Sequence, residues 1–404
     1  MSESPQARRT DIRLLYAARC LRGFGDGFAV VILPAYLIAI GLGPVQIGFV
    51  ATVSLAGTAA LTLLVGLIAP RHDLRNMLLL GAGLMVFTGI ALPSFEYLAF
   101  IAVVAFVGTI NPSTGDIGVL VPLEHAMLAR HAADAERTRL FARYSLIGAL
   151  SMAAGALAAG LADIFVAWGL AEPAAFKLMF YLYAALGAGA ALLYRRLPHA
   201  EAEPTRPHAP LGPSRAIVYK LATLFSLDAF AGGFIAQSLL ALWLFQKFEL
   251  SVAAASLFFF WSGVLSAFSY PVAARLAGRI GLVNTMVYTH IPSSVCLILA
   301  AFAPSLALTL ALLLVRAALS QMDVPTRTSY VMAVVTPAER TAAASVTAVP
   351  RSLASSVSPV FAGALLTLPF SGLPLVLCGS LKIVYDLTLL FTFRHVKPPE
   401  ERSG

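Results

Sequence analysis

Charge is what this sequence has least of. Asp, Glu, Lys and Arg make up 12% of its 404 residues, against about 25% in a typical soluble domain. A water-soluble enzyme is excluded on that ground, because a soluble fold could not hide the 59% of residues that are hydrophobic. Cysteine is scarce too. Cys20, Cys296 and Cys378 are scattered, without the spacing of a metal site. There is no P-loop, so ATP does not drive the protein directly, and neither His-Glu-x-x-His nor Gly-x-Ser-x-Gly occurs. No cluster of catalytic side chains is present, so neither enzymatic chemistry nor a cofactor is expected.

Long apolar runs are what the chain does have, and mean hydropathy is +0.84. A spanning helix takes about 20 apolar residues. The first run ends near Ile40. Others follow at about 45–69, 76–95, 97–128, 138–166, 174–195, 216–246, 252–277, 283–303, 305–335, 341–368 and 372–394. These segments predict an all-α membrane protein of twelve transmembrane helices, embedded in a lipid bilayer. One break differs from the rest: residues 196–215, RLPHAEAEPTRPHAPLGPSR, are rich in proline and charge and fit neither a span nor a core. The chain therefore divides into a six-helix bundle over 1–195, a linker over 196–215, and a six-helix bundle over 216–404.

The net charge of +8 is topogenic rather than a nucleic-acid footprint. Arg71, Arg75, Arg130, Arg137, Arg139, the linker, Arg275, Arg279, Arg340, Arg394 and Lys397 fall on one side. By the positive-inside rule that side, with both termini, is cytoplasmic. Arginine far outnumbers lysine and alanine is abundant, a composition that points to a bacterial inner membrane.

The two halves repeat one another. Arg22-Gly23-Phe24-Gly25-Asp26-Gly27-Phe28 aligns with Asp228-Ala229-Phe230-Ala231-Gly232-Gly233-Phe234 at an offset of 206. Arg71-x-x-Leu74-x-Asn76 returns as Arg279-x-x-Leu282-x-Asn284 at 208, and Asp116-Ile117 as Asp323-Val324 at 207. Glu136-Arg137-Thr138 returns as Glu339-Arg340-Thr341 and Ala159-Gly160 as Ala362-Gly363, both at 203. Parallel six-helix halves joined by a linker resemble the major facilitator superfamily over essentially the whole chain. The loop Gly66-Leu67-Ile68-Ala69-Pro70-Arg71 with Arg75 resembles that family's basic signature, with Pro70 in place of its Asp. Arg316 within Leu314–Gln321 resembles its buried-arginine motif, and Ser358-Pro359-Val360-Phe361-Ala362-Gly363 a worn copy of its exporter motif.

The resemblance implies two pseudo-symmetric bundles around a central cavity lined by the first, fourth, seventh and tenth helices. Those four carry Asp26, Asp116, Asp228 and Asp323. Intramembrane charges cost about 2.5–3.5 kcal/mol each on insertion scales and mark pathways or proton relays. The four Asp residues are therefore candidates for proton coupling. Asp323 has a structural alternative, an i,i+4 pair with Arg327. Arg22, Arg351, Gln237 and Tyr36 are candidates for substrate contact, and Arg71, Arg75, Arg279, Arg316 and Arg327 for gating or structure. Arg22 stands at the repeat position of Asp228, so the two are expected to face each other across the cavity. Arg143 and Lys382 are also read as buried, Lys382 pairing with Asp386 four residues on, and His290 as hydrogen-bonded within its helix. Gly155 and Gly160 are read as close-packing positions. The expected activity is proton-coupled secondary transport of a small or amphipathic organic anion by a monomer. Export of lipophilic drugs or metalloid compounds is the alternative. A membrane-embedded enzyme and a transport-fold sensor are more remote.

Overall fold

A computed structural model describes residues 5–113, 118–130, 134–200, 211–336, 339–394 and 396. The described residues are helical, with short 3-10 turns and no strands. In chain order the N-terminal half holds α1 (Pro5–Ala39), α2 (Pro44–Ile68), α3 (Leu74–Ala91), α4 (Leu98–Val107), α5 (Leu120–Arg130), α6 (Asp134–Ala158), α7 (Leu161–Ala167) and α8 (Glu172–Tyr194). The C-terminal half holds α9 (Arg215–Gly233), α10 (Gln237–Phe248), α11 (Val252–Ile280), α12 (Leu282–Phe302), α13 (Leu306–Ser320), α14 (Asp323–Val334), α15 (Arg340–Leu365) and α16 (Leu373–Phe393). Ten segments among the described residues are long and apolar enough to cross a membrane. The pair α4/α5 and the proline-containing α15 take the two other positions in the twelve-segment order. Of the 196–215 linker, 201–210 lie outside the described residues, and so do Lys397 and the rest of the carboxyl tail.

The repeat seen in sequence reappears as packing. Helix α1 packs on α6 and α8 as α9 does on α15 and α16, and α3 packs on α8 as α12 does on α16. Lipid supplies no hydrophobic drive between helices, so close backbone approach has to. Along the α1–α6 crossing a Cβ on Gly27 would strike the Met152 carbonyl, and one on Gly155 the Phe24 carbonyl. Gly160 lies beside Ala253 at the start of α11, 3.3 Å from where its own Cβ would stand.

The halves meet where α2 packs on α15 and α6 on α11. Gly48 lies against Pro359 and Gly363, and the Val360 N–H donates to Thr52 Oγ1 at 2.9 Å. At one end the apolar cores merge: Phe28, Tyr36, Phe180, Phe234, Trp243 and Leu375 belong to one cluster. At the end carrying the chain termini they are separate, one around Leu15, Leu78 and Leu128, the other around Val218, Met286 and Leu389. The apolar core is thus continuous across the halves at the far end and divided at the end carrying the termini.

Replacing Gly155 by Leu is expected to disrupt the α1–α6 crossing by more than the roughly 1–3 kcal/mol typical of overpacking, because the obstacle is backbone. Gly66→Leu, with open space around its Cβ position, is the control. Size-exclusion profiles and thermal unfolding in detergent should separate the two variants. Equal behaviour would refute the packing argument.

Candidate functional site

Helix α1 is glycine-rich around Asp26, and that lets α8 come close. A Cβ on Gly25 would lie 3.0 Å from the Tyr183 ring. The Tyr183 hydroxyl donates to Asp26 Oδ1 at 3.0 Å and lies 3.0 Å from Thr109 Oγ1. One turn earlier on α1, Arg22 Nη1 pairs with Glu124 Oε2 at 2.6 Å and lies 3.2 Å from the Tyr194 hydroxyl. Glu124, fully buried on α5, also accepts from Tyr194 at 2.5 Å and from Tyr144. Its charge is matched and both its oxygens are bonded, which is what a buried ion pair needs to persist. A cavity of about 30 Å³, room for about one water, is lined by Arg19, Arg22, Asp26, Thr109, Asn111 and Tyr183.

The C-terminal half holds a second network. Asp228 on α9 receives Lys382 Nζ from α16 at 2.5 Å and Arg327 Nη1 from α14 at 3.1 Å. Arg327 Nη1 also lies 3.1 Å from Asp323 Oδ2, the i,i+4 pair expected from sequence. Asp323 additionally opens α14, so its carboxylate sits at a helix N-terminus. His290 on α12 bonds Asp386 Oδ1 through Nδ1 at 3.0 Å. The broken helices meet as well: Ser238 N–H, in the first turn of α10, donates to the Pro112 carbonyl at 3.1 Å. Irregular backbone inside a membrane needs such a partner.

Several expectations are corrected. Arg22 does not face Asp228: Glu124 holds the arginine, and Lys382 with Arg327 holds the aspartate. Lys382 does not pair with Asp386 along its own helix. Asp386 turns to His290, because α12 packs directly on α16 and brings the imidazole closer than the i,i+4 ammonium. His290 therefore bonds outside its own helix. Arg143 is exposed on α6 rather than buried. Tyr36 is fully buried in the merged core, edge-on to Phe180 at 5.3 Å, and its hydroxyl has no partner. It lies away from both networks. Gln237, first residue of α10, keeps a buried Oε1 without a partner beside the meeting point of the broken helices. Asp116 lies outside the described residues, and so do the side chains of Glu136 and Arg137.

Arg316 on α13 and Arg351 on α15 are half-buried, and neither has a carboxylate partner among the described residues. Arg351 Nε is buried without any hydrogen bond. Arg71 and Arg279 are exposed at helix ends. Arg75 caps the end of the N-terminal bundle, reaching the Arg195 carbonyl at 2.7 Å and His199 Nε2 at 2.9 Å.

Sequence reading missed three acids. Glu124 was legible only as a lone acid in an apolar run. Asp73 and Glu339 lie in loops and hold the two ends of the linker. Asp73 Oδ2 accepts from Ala200 N–H at 2.8 Å and lies 3.2 Å from His199 Nδ1, while Oδ1 caps α3 through Asn76 N–H at 2.9 Å. Burial works against the Asp73 carboxylate, but these hydrogen bonds outweigh it and hold the group below the usual carboxylate range. Glu339 accepts from Ser214 Oγ and Thr336 Oγ1, both at 2.6 Å, and from Gly212 N–H. The hydroxyls first, then the amide, lower it from 4.5 to about 2.

Helices arranged as two repeated bundles, with paired charges inside them, define a membrane transport protein. The family model of the Major Facilitator Superfamily matches residues 15–245, more than half of the chain, and the chain belongs to that family. A Saccharomyces cerevisiae protein described as uncharacterized membrane protein YJR124C is 26% identical over 421 residues, spanning 95% of this chain and 94% of its own. Among solved structures, the nucleoside transporter NupG superposes with a TM-score of 0.74 at 14% identity, over 96% of this chain and 99% of its own. A bacterial homolog of the human lysosomal transporter Spinster, inward-facing and occupied, gives 0.73 at 16%, over 97% and 98%. The xylose transporter XylE from E. coli, inward open, gives 0.73 at 14%, over 94% and 95%. At these identities the structural likeness establishes the fold.

A carboxyl whose value is lowered on folding stabilises the fold above its unfolded value and loses that contribution as pH falls through the folded one. For Glu339 the loss falls between 4.5 and about 2. Glu339→Gln should lower the thermal midpoint at neutral pH and flatten its dependence on pH across that window. Parallel wild-type and variant curves would show that the anchor contributes nothing.

Proposed function

We propose that this protein is a proton-coupled secondary active transporter that carries a small or amphipathic organic anion by alternating access. The observation that carries the anion reading is the pair of guanidiniums Arg316 and Arg351, neither with a carboxylate in salt-bridge contact among the described residues. Arg351 lies eleven residues after the first residue of α15, roughly 16 Å along its axis at 1.5 Å per residue. A cation at such depth with no carboxylate in direct contact is costly. A carboxylate or phosphate substrate supplies the counterion, and the guanidinium fork suits both. A lipophilic drug would leave both charges unmatched, which disfavours the resistance-pump alternative.

Asp26 is the foremost carrier of a coupling proton. It is half-buried, lines the cavity beside Arg22, and takes a single hydrogen bond, from Tyr183, while Glu124 engages the neighbouring arginine. Asp228 and Asp323 share their cations, so they would act through opening of a salt bridge, and Asp116 is the repeat mate of Asp323. The reading has the protein as a monomer in a bacterial inner membrane, with bundles 1–195 and 216–404 and with the 196–215 linker and both termini in the cytoplasm.

A substrate screen in proteoliposomes with an imposed pH gradient tests this. Anions are expected to be transported, and Arg351→Gln and Arg316→Gln should each weaken their binding about ten-fold or more, the size of one charge-assisted hydrogen bond at roughly 1.5–3 kcal/mol. Transport of neutral solutes with unchanged affinity in both variants would overturn the anion reading. Asp26→Asn should abolish uphill accumulation while sparing exchange. Wild-type accumulation by that variant would remove Asp26 from the coupling.

A further inference from the structure

The innermost part of the C-terminal network has no role in the reading above. His290 Nε2 lies 3.4 Å from Lys382 Nζ and 3.9 Å from Asp228 Oδ1, while its Nδ1 bonds Asp386. The imidazole is 3% exposed and Asp386 is fully buried. Asp386 Oδ2 has no hydrogen-bond partner, and neither has the hydroxyl of Tyr385, whose ring stands edge-on to His290.

Asp228 and Asp323 take Lys382 and Arg327, whereas the hydrogen-bond partner of Asp386 is His290. A buried carboxylate with one bare oxygen is costly. A proton held by the histidine–aspartate pair offsets that cost.

We propose that His290 and Asp386 form a proton-binding site in the C-terminal half, and that its occupancy sets whether Lys382 stays on Asp228. With His290 neutral, Nδ1–H donates to Asp386 and Nε2 accepts from Lys382, which also donates to Asp228. A proton taken up from water at Nε2 turns that acceptor into a donor. Lys382 loses one of its two partners, and the new N–H competes with it for Asp228 Oδ1. The bridge between α16 and α9 then loosens, and release of the proton restores it. The charged and titratable groups nearest the pair are Lys382 and Tyr385 from α16 and Asp228 from α9; Arg327 and Asp323 from α14 and Arg351 from α15 lie around Asp228, and Cys378 from α16 and Arg316 from α13 lie beyond Lys382. The charges of α11, Arg275 and Arg279, are exposed at its end. Any use of this site in transport rests on the coupling reading above, whereas the site itself does not.

The test needs no substrate. Full-length protein with 15N-labelled histidine is placed in lipid nanodiscs and followed by NMR against pH, and the His290 signal is assigned by its loss in His290→Gln. That signal is expected to titrate reversibly. Its midpoint should move by roughly one pH unit or more, a ten-fold change in proton affinity, in Asp386→Asn and in Lys382→Met. The near-isosteric Asp386→Asn decides the matter if Lys382→Met does not fold. A His290 signal that keeps one protonation state throughout the folded range overturns the proposal, and so does a midpoint indifferent to Asp386→Asn. Neither outcome bears on the anion screen, so the two readings fail separately.

Discussion

Compensation of charge inside a low-dielectric layer is the constraint on which this structure depends. An unpaired ion there costs more than most single contacts return, so buried acids such as Glu124, Asp228 and Asp386 recruit partners from other helices. Glu124 gathers Arg22, Tyr144 and Tyr194 from three helices. Asp228 gathers Lys382 and Arg327 from two. These pairings tie the helices within each half together at depths where lipid offers no other adhesion. None of the ion pairs between described residues joins the two halves.

Outside the merged apolar core, the contact between halves includes glycine and proline backbone, the Val360–Thr52 hydrogen bond and an Ala253 N–H donated to Asp163 Oδ2 at 2.8 Å. Small residues give close approach without interlocking side chains. The apolar core is shared by the halves at one end and divided at the other. The linker is tied at each end by a carboxylate, Asp73 on one bundle and Glu339 on the other.

The two halves have specialised within a shared frame. The N-terminal half pairs Arg22 with Glu124 and leaves Asp26 hydrogen-bonded to Tyr183. The C-terminal half pairs its aspartates and leaves Arg316 and Arg351 without carboxylates among the described residues. One half thus presents an acid and the other presents cations. A proton and an anion crossing together would meet those demands at different places.

Apolar run length determined the membrane class, and the linker with five repeat matches carried the resemblance to the family, because a bilayer imposes length and polarity residue by residue. The same local logic exposed the Asp323–Arg327 pair, whose partners lie one turn apart. Tertiary structure alone decided the remaining partners. Arg22 chose Glu124, 102 positions away, and Lys382 chose Asp228, 154 positions away. Repeat symmetry suggested Arg22 opposite Asp228, and helical spacing suggested Lys382 with Asp386. Both failed for one reason: which helices touch, and at what depth, depends on glycine contacts and breaks scattered along the whole chain. Sequence proximity carries no information about that depth, and a buried charge pairs with whatever the packing brings nearest.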